Sequence, residues 1–286
     1  MISKFILGTV QFGLDYGINN AIGKPTSVQV LRMLEYAASQ GVAVLDTADS
    51  YGNATELLGV FIKTHPGLFA INTKFRSNQE PLEKQLSRTF HLLHLNIVNT
   101  YFYHSYKDFV NYPELLASLI ALKQDNKIRK IGVSVYDNDE FRTVINAADI
   151  DVIQFPFNLL DNRYQRGALM KIAKEKGKEL QVRSVFLQGL FFKSLSYFSH
   201  KLVALKPYLQ KIHNICCRYN TTIEKMALLY ASKQPEIDNI VFGIDNLEQL
   251  IINLEIAKLN LDSKICKEID QIEVIENELL YPKNWN

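Results

Sequence analysis

Cysteine is scarce in this sequence, and the three thiols present, Cys216, Cys217 and Cys266, suit no crosslinked scaffold. Their number is odd and two are adjacent, which is poor geometry for a structural disulfide framework. No CxxC pair exists, so a zinc site built on paired cysteines has no support and no metal site is expected. A reducing compartment, the cytoplasm, is the expectation. Long apolar runs are missing too, and none approaches the ~20 residues of a membrane span. Met1–Asn20 carries Lys4, Asp15 and several glycines and holds no apolar core of signal-peptide length. Nor is there an excess of one charge: 32 Lys and Arg face 30 Asp and Glu, a formal net charge of +2. That balance predicts no nucleic-acid and no membrane partner. No Pro/Gly/Ser-rich linker, short-period repeat or low-complexity tract divides the chain. The glycine-rich phosphate turn of a doubly wound sheet is absent as well, since Gly8 to Gly13 lacks GxGxxG and no P-loop motif occurs.

What is present is an alternation. The length of 286 residues is close to the roughly 250 of an α/β barrel. The 47 % hydrophobic content suffices for a large core, and 22 % charge argues against disorder. Short β-rich runs are predicted at Phe5–Gln11, Val42–Asp46, Phe69–Lys74, Val98–Tyr103, Ile128–Ser134, Val152–Phe157, Leu180–Val185 and Asn239–Gly243. Pro156 is expected to terminate pairing in the sixth. Helical spacing falls between them, at Ser27–Ser39, Ala54–Lys63, Pro81–Leu93, Pro113–Gln124, Asp139–Ala147 and Ala168–Lys176. After the seventh strand come an aromatic connection through Phe186, Phe191, Phe192, Tyr197 and Phe198, then helices over Lys206–Arg218 and Thr222–Ser232. Helices at Leu247–Leu259 and Lys264–Ile275 close the chain. Eight βα units without a linker predict one α/β domain over residues 1–286, a (β/α)₈ TIM barrel with an extra C-terminal helix and tail.

Three consecutive strands end in chemically capable residues. The second ends at Asp46, with Tyr51 on the loop behind it; the third ends at Lys74 and the fourth at His104. In a parallel barrel all such ends open on one face, where active sites are built. A tyrosine in water titrates at about 10, too high to donate a proton readily near neutrality. A nearby ammonium favours the phenolate, so Lys74 is expected to lower the pKa of Tyr51, with Asp46 holding Lys74 in place. His104 is suited to donate a hydrogen bond to a carbonyl or relay a proton. A phenolic acid beside an electrophilic group suits carbonyl reduction. No side chain supplies hydride, so a nicotinamide cofactor is required.

At these residues the chain resembles the aldo-keto reductase family. Asp46-Thr47-Ala48-Asp49-Ser50-Tyr51-Gly52 is similar to the family's DTAxxYG segment, and Lys74 and His104 fall at its other two tetrad positions. Leu7-Gly8-Thr9, Gly132-Val133-Ser134, Gln154 and Gln188-Gly189-Leu190 match in order. The resemblance implies a (β/α)₈ barrel that binds NADPH or NADH and reduces a small-molecule carbonyl. Tyr51 is the implied proton donor, tuned by Lys74 and Asp46, with His104 orienting the carbonyl. Ser134 and Gln154 are implied to hold the nicotinamide carboxamide. Gly8, Thr9, Phe186, Gln188, Gly189, Gly243, Gln249 and Asn253 complete the implied cofactor contacts.

Departures from the family pattern carry information. Val135 stands where an Asn often follows the strand-five Ser, Val185 aligns with the nicotinamide-stacking aromatic beside Phe186, and Val10 and Ser105 replace bulkier residues. A less aromatic pocket favours a hydrophilic substrate such as a sugar derivative. After the eighth strand the chain carries Asp245 and Glu248, with Gln249 where an Arg often stands, and no Lys or Arg from Gln234 to Ile256. This predicts weakened NADPH preference and use of NADH.

Other features have plainer readings. Asp49 is expected to cap the following helix. His91 and His94, three apart, read as helix-surface or packing residues rather than metal ligands. Asn158 and Arg163 resemble a family loop with a structural role. The Phe-rich connection reads equally as cofactor clasp or packing. Cys216 and Cys217 read as buried helix residues. The Tyr281–Trp285 tail either closes the substrate site or packs outside. Two other functions compete: a cofactor-binding, non-enzymatic subunit of the same fold, and a Schiff-base aldolase using Lys74.

Overall fold

Strands covered by helices on one side and packed across a barrel on the other take near-continuous apolar runs. The computed structural model, which describes residues 2–76, 80–198 and 200–285, departs from that rule on the lumen side, where several strands carry polar side chains. Its strands are β1 (Phe5–Gly8), β2 (Val44–Asp46), β3 (Ala70–Phe75), β4 (Val98–Tyr103), β5 (Ile128–Ser134), β6 (Val152–Pro156), β7 (Glu179–Arg183) and β8 (Asn239–Phe242). All pair in parallel in chain order, and β8 returns to β1 with Phe5 opposite Ile240, closing the barrel. The helices are α1 (Val10–Gly13), α2 (Ser27–Ser39), α3 (Ala54–Thr64), α4 (Leu82–Leu93), α5 (Tyr106–Asn111), α6 (Leu115–Gln124), α7 (Asn138–Ile145), α8 (Arg163–Glu175), α9 (Lys206–Arg218), α10 (Ile223–Lys233), α11 (Leu247–Ala257) and α12 (Ser263–Ile269).

Local chemistry sets many of these starts. Thr26 and Gln29 form a reciprocal capping box on α2. The side chains of Asp137, Asn162, Thr222 and Asn246 accept backbone N–H groups at the starts of α7, α8, α10 and α11. Each such cap is worth about 1 kcal/mol.

The structure departs from the expected boundaries in instructive places. The first strand stops at Gly8, not Gln11. Thr9 leaves extended geometry while its N–H and hydroxyl both donate to Asp46 O at 3.0 Å, and α1 then drops Phe12 into the core. Helix α5 was not foreseen; Ser105 caps it by accepting Asp108 N–H at 3.1 Å. Helix α8 starts at Arg163 rather than Ala168 because Asn162 caps it. The last helix ends at Ile269 rather than Ile275, where Asn162 Nδ2 donates to the carbonyls of Ile269 and Ile272. Pro156 is the last residue of β6, although Phe157 N–H still reaches Arg183 O at 3.1 Å.

Inside the barrel, polar side chains meet across the lumen in layers. Lys130 of β5 pairs with Glu179 of β7. Above them, Asn72 of β3 donates to Gln181 of β7 at 3.3 Å. At the C-terminal mouth, Gln154 of β6 donates to Asp46 of β2 at 2.9 Å. Among the described residues no helix is long and apolar enough to cross a membrane.

Candidate active site

The mouth layer is where the four expected side chains converge. Asp46 ends β2, Lys74 lies near the end of β3, and His104 follows β4 directly. The Lys74 ammonium, almost wholly buried, pairs with Asp46 and donates to Thr47 O at 3.2 Å. It lies 5.3 Å from the centre of the Tyr51 ring and 5.8 Å from that of Phe102. Gly132 leaves room for that Phe102 ring, which a Cβ there would meet at 2.3 Å. The Tyr51 loop is pinned by backbone: Gly52 has φ +56, and a Cβ on Gly13 would meet Tyr51 O at 1.8 Å. His104 stands edge-on to Tyr51 with ring centres 6.1 Å apart, and its Nδ1 is 3.5 Å from Ser50 Oγ. All four side chains line one cavity of about 550 Å³.

Electrostatics corrects one expectation. The Tyr51 phenol is not made acidic. Burial, and then the Asp46 carboxylate, push its pKa well above the ordinary value, and the cation that opposes them is Arg183. Lys74 fails to dominate because its own charge is already matched by Asp46, and burial lowers its pKa. His104 falls to about 3 through burial, reinforced by Lys74, Arg76 and Arg183. Near neutrality the site therefore holds a protonated phenol and a neutral imidazole.

Every residue expected to touch the cofactor lines the same cavity: Gly8, Thr9, Ser134, Gln154 and Phe186, then Gln188, Gly189, Gly243, Gln249 and Asn253. Two of the cavity's buried acceptors, Gln154 Oε1 and Gln11 Oε1, have no donor among the described residues. Such orphans are costly, and the N–H groups of a carboxamide would satisfy them. The residues present thus fit a nicotinamide cofactor. Gln188 bridges the cavity: its Nε2 donates to Tyr16 Oη at 2.6 Å, and its carbonyl accepts Ile18 N–H at 3.0 Å. Gln249 and Asp245 clasp each other, with Asp245 N–H donating to Gln249 Oε1 at 2.8 Å and Gln249 Nε2 donating to Asp245 Oδ2 at 3.1 Å.

Other readings divide. Phe186 and Phe192 line the cavity, whereas Phe191 and Phe198 are buried as packing; the Tyr197 side chain lies outside the described residues. Val185 and Val10 reach the wall, Val135 is buried in the core, and Ser105 is a helix cap. Asp49 caps nothing; Asn53 occupies the cap position of α3, and Asp49 accepts instead from Arg88 Nη2 at 3.3 Å. Cys217 is exposed and Cys216 only half-buried, because α9 buries Leu209, Ile212 and Ile215 on its inner face. His91 and His94 are exposed, His94 closing α4 at φ +52. Asn158 and Arg163 hold loops together, Arg163 forming a paired contact with Glu236 at 2.8 Å. The tail reaches the rim: Tyr281 lies 5.7 Å from the ring of Tyr136, which itself lines the cavity. Sequence reasoning missed Tyr16, Tyr136, Glu224 and Arg183. Arg183 alone had a visible signal, two residues beyond Gln181 on the inward face of a strand.

A sequence model of the aldo/keto reductase family matches residues 4–274. The chain belongs to the aldo/keto reductase family. This reductase is 23 % identical to the NADH-specific methylglyoxal reductase of Escherichia coli, covering 94 % of each chain. It is 24 % identical to the aldo-keto reductase YhdN of Bacillus subtilis, covering 90 % of this chain and 86 % of the relative. Its fold is similar to the holo form of aldo-keto reductase AKR11C1 from Bacillus halodurans, with TM-score 0.76, 17 % identity, and coverage of 94 % and 92 %. The family assignment makes the chain an NAD(P)H-dependent oxidoreductase.

Proposed function

We propose that this reductase converts an aldehyde or ketone to an alcohol, with Tyr51 as proton donor and His104 orienting the carbonyl. The observation that carries the reading is the convergence of a protonated phenol, a buried ion pair and a neutral imidazole on one cavity. When bound, NADH or NADPH supplies the hydride. Ser134 and Gln154 would hold its carboxamide. As negative charge grows on the carbonyl oxygen, Tyr51 Oη gives up its proton to that oxygen. The phenolate left behind faces the Lys74 ammonium, whose approach to the ring favours that charge. The neutral His104 ring donates a hydrogen bond without competing for the proton. Lys74 is committed to Asp46 and Thr47, which argues against a Schiff base.

Asp245 stands at the cavity's Asp245–Asn253 end, Glu224 also lines the cavity, and no Lys or Arg from β8 or α11 does so among the described residues. A carboxylate wall disfavours an additional phosphate, so we read the cofactor preference as NADH. The name of the E. coli relative supports this. Titration with both cofactors tests it, and a hundredfold preference for NADPH overturns it. The unbridged thiols of Cys216, Cys217 and Cys266 agree with a cytoplasmic setting.

The decisive experiment is Tyr51→Phe. The variant should bind cofactor normally and lose about 10²–10⁴ in kcat across carbonyl substrates. Undiminished turnover would remove Tyr51 from the reaction.

A further inference from the structure

We propose that Arg183 anchors a negatively charged group, a carboxylate or phosphoryl oxyanion, carried by the carbonyl substrate. The inference rests on the carbonyl-reductase reading above and narrows it to a substrate class.

The argument begins with the strand. Side chains of β7 alternate, so Glu179, Gln181 and Arg183 share the inward face. The lower two are matched across the lumen, Glu179 by Lys130 and Gln181 by Asn72. Arg183, at the mouth, is matched by no acid: among the described residues no carboxylate lies within ion-pair distance of it. Its contacts are neutral and long, from Nη1 to Ser184 Oγ and from Nη2 to Val135 O, both 3.3 Å. A guanidinium has five N–H donors, so most of its capacity is unspent.

The group is nevertheless held in place. Its central carbon sits 4.3 Å over the Tyr136 ring, and Lys283 of the C-terminal tail lies 4.4 Å from the same ring. Arg183 is half-buried and lines the cavity beside Tyr136 and Ser184. Ser184 turns the chain there at φ +60, a conformation non-glycine residues seldom adopt, and strain of that kind gathers at functional sites.

The location is close to the chemistry. Arg183 lines the same cavity as Tyr16, Tyr51, Lys74 and His104, and its charge opposes the burial that raises both phenols. A neutral aldehyde gives such a cation nothing to pair with. A substrate bearing an oxyanion a few bonds from its carbonyl meets a planar fork that matches carboxylate and phosphate geometry.

The test uses the full-length enzyme and two matched pairs of probes: succinic semialdehyde against butanal, and glyceraldehyde 3-phosphate against glyceraldehyde. One pair reads carboxylate recognition and the other phosphoryl recognition. At least one anionic probe should exceed its neutral partner in kcat/KM by about tenfold or more, the range of a charge-assisted hydrogen bond. That advantage should shrink as salt rises. In Arg183→Gln the anionic-to-neutral ratio should collapse toward one, chiefly through KM, and Arg183→Lys should restore part of it. Because the salt dependence is measured on the unaltered protein, it stands even where a variant folds poorly. Equal use of charged and neutral probes by the wild type overturns the inference while leaving the reductase reading intact. So does an unchanged ratio in Arg183→Gln, or a loss of cofactor affinity in its place, which would assign the cation to the cofactor. Turnover of no carbonyl at all would refute the reductase reading, and the inference with it.

Discussion

Among the described residues, two ion pairs are almost wholly removed from solvent, and they are built for opposite ends. Arg166 and Asp161 lie behind the barrel mouth, at the start of α8. Arg166 gives Asp161 two parallel bonds, at 2.6 and 2.7 Å, and spends two further donors on Asn138 Oδ1 at 2.8 Å and Tyr136 O at 2.5 Å. Lys74 and Asp46 are equally buried, but their pair lines the cavity of about 550 Å³ that holds Tyr51 and His104, whereas Arg166 and Asp161 border a separate one of about 190 Å³, and the second Asp46 oxygen accepts from the Gln154 amide. Burial pulls Lys74 down, whereas the Asp161 contacts raise Arg166 above its ordinary value. The comparison teaches that burial alone does not mark a functional charge. What distinguishes the Lys74 pair is an amine, which burial pulls toward its neutral form, on the wall of the cavity it shares with Tyr51 and His104.

That contrast breaks most visibly when each acid is removed. Asp161→Asn strands a guanidinium that cannot deprotonate, and should cost about 3–5 kcal/mol in denaturant unfolding. Asp46→Asn strands an amine that can shed its proton, so the stability loss should be clearly smaller while carbonyl reduction collapses. Equal stability losses would erase the distinction.

A smaller effect sharpens it on the pH axis. His104 is depressed to about 3 in the folded chain, against roughly 6.5 when unfolded. The folded state binds the proton less readily, so its contribution to stability is complete above about pH 6.5 and is lost as pH falls toward 3. Between pH 6.5 and 5 the loss is at most about 2 kcal/mol from this group. Urea midpoints should therefore fall less steeply with acid in His104→Gln than in the wild type.

The smallest effect concerns the Gln188 bridge. Tyr16→Phe removes one hydrogen bond, worth about 1 kcal/mol, and should speed cofactor release several-fold without altering the pH profile.

The convergence of Asp46, Tyr51, Lys74 and His104 was legible because strand ends are written locally. A buried run that stops at Asp46, Lys74 or His104 places those residues on one face whatever the rest of the chain does. The direction of the Tyr51 shift was not legible, since it depends on how deeply the phenol is buried and on Lys74 already being paired. The Asp46–Gln154 bond was hidden for a related reason: it joins β2 to β6 across the lumen, and no local pattern records which inward side chains meet. Arg183 was readable in principle from its alternation with Gln181, but the phenylalanines that follow it carry the louder signal. Helix α5 hid behind Ser105, which a motif comparison treats as a missing bulky side chain and physical chemistry treats as a cap.

The pairing of β1 with β8 has a consequence for how the protein is made. Phe5 cannot find Ile240 until β8 has left the ribosome. At the usual pace of about 5–20 residues per second, the first strand waits tens of seconds for its final neighbour. During that interval Phe5, Ile6 and Leu7 form an apolar edge open to any other nascent chain nearby.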